Sequence, residues 1–150
     1  MDQIAEFSHL FDYDAWANRR WLDALADKGW PEPDRAVFTH ILAASDIWLQ
    51  RVNGASPAEM PTPEPSAATI ATLSREWKVA LKHRPGDLMV FYKRTTGEPL
   101  HLPLSAIVRH LLNHGTYHRG ELRGLCRSRG DDAFPETDYA LFEISIGAAE

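Results

Sequence analysis

Three of the seven histidines of this chain, His110, His114 and His118, fall within nine positions at strict four-residue intervals. An α-helix places residues four apart above one another on one face, so residues 110–121 form a row of imidazoles if they are helical, with Glu121 continuing it. A pair spaced i, i+4 can turn two ring nitrogens towards one ion about 2.0–2.1 Å away. Two ligands do not close a site, however, and zinc and its neighbours want at least three, so a further ligand has to come from another part of the fold. The competing reading is a half-buried helical face whose histidines are satisfied by carbonyls or carboxylates, and an isolated H-x-x-x-H arises readily by chance.

The remainder of the chain supplies helices for such a row to face. In residues 3–28, Ile4, Phe7, Leu10, Phe11, Ala15, Trp16, Trp21, Leu22 and Leu25 recur at three- and four-residue spacings, and Gly29 and Pro31 end the pattern. Asp12, Asp14, Asn18 and Arg19 between them read as a solvated face, with one of them reaching the mouth of a central site as the alternative. A second helix is expected from Asp34, as its N-cap, to Asn53-Gly54, with Val37, Ile41, Ala44, Trp48 and Val52 on its apolar face. His40 lies among these core positions, so it is expected to point into the bundle as the third ligand. Periodicity alone favours a core histidine bonded to a carbonyl. After the proline-rich connection of residues 55–65, Ser66 caps a third helix over residues 67–84, and His83 at its basic end reads as exposed.

The period then changes. Residues 88–92 and 100–102, around Gly97, predict a β-hairpin that must lie on the helices, with His101 on its solvated side. Pro103 opens a fourth helix running to about Ser128, with Gly130 at its end. Gly115, Gly120 and Gly124 inside it cost ~1 kcal/mol each relative to alanine, which points to close packing or room for a ligand. The tail, residues 134–142, is expected to pack back on the bundle. The fold class is therefore all-α, a four-helix bundle with a small β-hairpin before the last helix, in one domain over residues 1–150.

A net charge of -5 provides no electrostatic footprint for nucleic acid or an anionic membrane. No segment resembles an export signal or approaches the length of a bilayer span, and the lone Cys126 cannot form an intramolecular disulfide. These features predict a soluble cytoplasmic protein acting on a small molecule. Cys126 reads as a buried helix residue rather than a nucleophile.

His40, His114 and His118 would make a three-histidine site with open coordination positions, the arrangement of a catalytic rather than a structural ion. Gly115 stands where an H-E-x-x-H motif would place its glutamate, which disfavours peptide hydrolysis. Glu121 is the nearby carboxylate, able to orient a ligand histidine, act as a base or serve as a fourth ligand, with the orienting role preferred. His110 competes for a ligand position or is a supporting or core group. Tyr117 and Arg119 flank a ligand and are candidates for holding substrate or cofactor, although packing, and an ion pair with a tail carboxylate such as Asp138, is the preferred reading.

The run His110-x-x-Asn113-His114-x-Thr116-Tyr117-His118-Arg119-Gly120, with Trp16-Ala17-Asn18 upstream and His40 to Ala44 followed by Trp48, resembles the DinB/YfiT-like family of bacterial metalloenzymes. Tyr92, Gly97-Glu98 and Asp138-Tyr139 extend the resemblance over nearly the whole chain. It implies a four-helix bundle, often homodimeric, with a divalent ion (Zn or Ni first, Mn or Fe as alternatives) on His40, His114 and His118. It also implies, from the wider superfamily, group transfer or isomerisation with a low-molecular-weight thiol such as bacillithiol, mycothiol or glutathione. The family motif continues His-Arg-Gly-Gln, whereas this chain has Glu121, a negative charge near the metal that would tighten binding or alter activity. The expected function is thus a metal-dependent thiol S-transferase or isomerase acting on a small electrophile. A metal-dependent hydrolase, or a non-catalytic, stress-related metal-binding or dimerising bundle, is the alternative.

Overall fold

Asp2 accepts the backbone N–H of Ala5 at 2.8 Å and starts α1, Gln3–Asp27, which ends where Gly29 takes the left-handed conformation at φ +75°. The protein is described here by a computed structural model covering residues 2–147. Helix α2 spans Asp34–Val52 and α3 spans Ala67–Leu81, the latter capped by Ser66 accepting from the Thr69 N–H. Strands β1, Met89–Lys93, and β2, Pro99–Pro103, form an antiparallel hairpin in which Val90 faces Leu102 and Phe91 faces His101. Gly97, at φ +92°, closes its turn. Helix α4, Leu104–Ser128, carries the histidine row, and a short helix α5, Tyr139–Ser145, follows.

The all-α bundle with its hairpin matches the sequence pattern, with three differences of detail. The tail forms a fifth helix, because Phe142 is buried against Tyr13, Trp16 and Ala17 of α1 and this contact fixes the segment. Helix α3 stops at Leu81 rather than residue 84, where the apolar period runs out. Asp34 is not the N-cap of α2. That position belongs to Pro33, and the fully buried Asp34 carboxylate instead accepts both Nη atoms of Arg129 at 2.8 and 2.7 Å.

Two large apolar clusters, with the smaller one of Tyr13, Ala17 and Phe142, make up the core. One gathers Phe7 and Phe11 of α1, Trp77 and Leu81 of α3, Val90 of β1, and Leu104, Ile107, Val108 and Leu111 of α4. The other gathers Trp21, Leu22 and Leu25 with Phe38, Ile41, Leu42, Leu122 and Cys126. Each fully buried large side chain stabilises the fold by roughly 1.5–3 kcal/mol relative to exposure. Between the clusters α1 and α4 place the polar residues Asp14, Asn18 and Arg119, with Gly115 making room beside them, on the stripes that are apolar above and below. Among the described residues no helix is long and apolar enough to cross a membrane.

Candidate metal centre

Helix α2 packs along α4. This pairing brings His40 beside His114 and His118, whose four-residue spacing stacks them on the α4 face turned to α2. One ligand atom from each of the three lies within 4.8 Å of the other two. His40 Nε2 and His114 Nε2 are 3.0 Å apart, and the three ring centroids are separated by 4.4–4.8 Å. His40 is exposed and the other two are half-buried, so the cluster opens to solvent along the α2–α4 seam. The bundle interior expected for His40 is taken by its neighbours Phe38, Ile41 and Leu42, all buried.

The surroundings suit neutral imidazoles, the form that coordinates metal. Burial, followed by the neighbouring His118, His40 and His110 rings, pushes the His114 imidazole down to about 4. The crowded tip of His40 is lowered by desolvation and by His118, against an opposing pull from Glu121. His118 Nδ1 donates to Glu121 Oε1 at 2.9 Å. A carboxylate can only accept, so this bond holds the proton on Nδ1 and leaves the Nε2 lone pair available. The 3.0 Å contact between His40 and His114 needs a proton on one of its two nitrogens, and a bound ion would replace that proton. Three nitrogen donors that converge and face open space, two of them with their imidazoles shifted towards the neutral form, fit a divalent ion with free coordination positions.

The other candidates lie as follows. His110 is exposed, its ring 5.6 Å from both His114 and Trp48, and it does not join the converging set. Tyr117 is 73% exposed, with its ring edge-on to His118 at 5.0 Å, at the margin of the cluster. Arg119 turns away to α1: its Nη1 donates to Asp14 Oδ1 at 2.7 Å and to Asn18 Oδ1 at 2.8 Å. The partner considered for it in the tail, Asp138, is replaced by Asp14, and its guanidinium belongs to the α1–α4 junction rather than to the triad. His101 and His83 are exposed and do not join the converging set, and Cys126 is fully buried, its thiol pushed up by burial and then by Asp34.

Asp14 and Asn18 are the residues whose role the sequence reading missed, since they were placed on a solvated face. Asn18 is in fact 4% exposed. The signal was present in their spacing, because Phe7, Phe11, Asp14, Asn18, Trp21 and Leu25 follow one another at intervals of four and three and therefore share one stripe. Gly115 answers the same feature: a Cβ there would lie 2.8 Å from Asp14 Oδ1 and 3.0 Å from Arg119 Nη1. Gly120 and Gly124 face open space and have no such packing reason.

The sequence is similar to that of known proteins. The chain is 27% identical to Protein DinB of Bacillus subtilis (strain 168) over 164 aligned positions, covering 89% of this chain and 91% of that protein. A model of the DinB family matches residues 1–146, nearly the full length over which the helices and the triad are laid out, and the chain belongs to the DinB family.

Proposed function

We propose that this protein is a metal-dependent enzyme that activates a low-molecular-weight thiol at the His40, His114 and His118 site and transfers it to, or uses it to isomerise, a small electrophile. The observation that carries the reading is the convergence of three histidines at a place open to solvent. When bound there, a divalent ion, Zn or Ni before Mn or Fe, would hold the thiol as its anion, the nucleophilic form. The remaining work falls to the chain itself. Glu121 orients His118 and, at 47% side-chain exposure, is the carboxylate within reach of a proton released at the site. Tyr117 borders the cluster, where its ring can pack against a substrate. A cytoplasmic location fits this chemistry, since small thiols are kept reduced there.

None of the three apolar clusters contains a member of the triad, which favours an added ion over one that holds the fold together. Pairing of two chains belongs to the same reading, with exposed Phe91, Leu141, Ile144 and Ile146 available to be covered. Light scattering of the purified protein measures it.

The test is elemental analysis of untagged protein, as purified and after incubation with Zn, Ni, Mn and Fe salts, beside His40→Ala and His118→Ala variants checked by circular dichroism. About one ion per chain, lost from both folded variants, followed by metal-dependent consumption of a thiol with an electrophile, is the expected result. Failure to take up any of these metals would overturn the reading. Unfolding on metal removal would favour a structural ion instead.

A further inference from the structure

Helix α1 packs chiefly on α3 and α2 on α4, which leaves the seam between α1 and α4 more loosely filled. Residues 135–139 close one side of it. They are held by Tyr13 Oη donating to the Thr137 carbonyl at 2.6 Å and by the Arg123–Glu136 pair at 3.3 Å. What remains is a cleft of about 480 Å³, within the roughly 300–1,000 Å³ range of small-molecule sites. It is distinct from the triad. Asn113, Thr116 and Gly120 line it, and Thr116 and Gly120 stand two positions from His114 and His118, which is about 200° around the helix.

The walls suggest what would fill the cleft. Leu10, Leu112 and Pro135, with the rings of Tyr13, Trp21 and Tyr139, give it a mostly apolar surface. Of its three arginines, Arg119 is matched by Asp14 and Arg123 by Glu136. Arg109, on the exposed rim, lies over the Phe7 ring at 5.8 Å and forms no ion pair among the described residues. Two wall residues also keep a buried N–H donor without a partner, Trp21 Nε1 and Arg119 Nε. An unmatched cation and two unsatisfied donors favour a ligand that brings acceptors. The opposing group is Asp138, the lining carboxylate without an ion pair among the described residues.

We propose that this cleft binds a small carboxylate with an apolar body, its carboxylate on Arg109 and its body against Leu112, Tyr13 and Tyr139. The proposal does not depend on the metal reading.

The test titrates ¹⁵N-labelled, metal-free full-length protein with phenylacetate, and with phenylacetamide and phenethylamine as neutral and cationic counterparts of similar shape. The reporter is the Trp21 indole N–H resonance, assigned through Trp21→Phe. Phenylacetate is expected to shift this resonance saturably and to bind about tenfold or more tightly than phenylacetamide, as a charge-assisted contact requires. Arg109→Gln, an exposed change checked by circular dichroism, should remove that preference. His118→Ala should leave it intact, which excludes capture of the carboxylate at the triad. Equal binding of the acid and the amide would overturn the proposal, as would preference for the amine through Asp138. So would insensitivity to Arg109→Gln, or no Trp21 shift from phenylacetate in the millimolar range.

Discussion

Arg119 Nη1 and Asp14 Oδ1 stand 2.7 Å apart across 105 residues of sequence, and the same guanidinium reaches Asn18. Its neighbour in the chain, His118, belongs to the cluster on the other side of α4. Consecutive residues on a helix are about 100° apart, so a single peptide step separates the group that ties α1 to α4 from one that faces α2.

Removing the cation from that layer leaves Asp14 and Asn18 without their main partner in a largely dehydrated place. Arg119→Leu is expected to lower stability by about 3 kcal/mol in urea denaturation, as breaking one half of a buried pair does. Asp14→Asn retains an acceptor for the guanidinium and should cost less.

The glycines of α4 should divide into two kinds. Gly115→Ala places a methyl group 2.8 Å from Asp14 Oδ1 and is expected to destabilise by roughly 1–3 kcal/mol. Gly124→Ala meets open space and should stabilise by about 0.5–1 kcal/mol, through helix propensity and a less flexible unfolded chain. Thermal melts of the two variants beside the parent decide this.

Glu121 should matter to metal affinity more than to folding, because it is exposed and its described contact is with His118. Chelator competition is expected to show a loss of about 10–100-fold for Glu121→Ala, and a smaller loss for Glu121→Gln, which still accepts from Nδ1. Denaturation midpoints of the metal-free variants should stay close to that of the parent.

The metal-free protein should lose stability on mild acidification. His114 has an ordinary value of 6.5 and is held at about 4 in the folded state. Between those values the unfolded chain binds a proton that the folded chain refuses, so stability present above pH 6.5 declines as the pH falls towards 4. His40 is shifted in the same direction. Urea midpoints at pH 7 and pH 5 are expected to differ less in His114→Ala than in the parent.

Most of the bundle could be read from its punctuation and period. Gly29, Ser66, Gly97 and Gly130 mark element ends as expected, and the apolar spacing of α1, α3 and α4 identifies their buried faces. The row on α4 followed from arithmetic, because four-residue spacing is a local property of a helix. Its meeting with His40 was not local: it depends on how α2 lies along α4, and the family resemblance supplied what periodicity could not. The polar layer was hidden by assigning Asp14 and Asn18 from their chemistry, although their positions place them on the core stripe. Asp34 reads as a cap for a comparable reason, since its partner Arg129 lies 95 residues away.

Residues 135–139, which wall the cleft between α1 and α4, come after all four long helices in the chain. During synthesis from the N-terminus, both large apolar clusters can therefore gather before that wall is available. A chain cut short before Thr137 would lack the carbonyl that Tyr13 binds and the Phe142 ring that anchors α5, while keeping nearly every residue of the two clusters. The cleft is thus assembled only after both of these clusters, and truncation would remove it while leaving them in place.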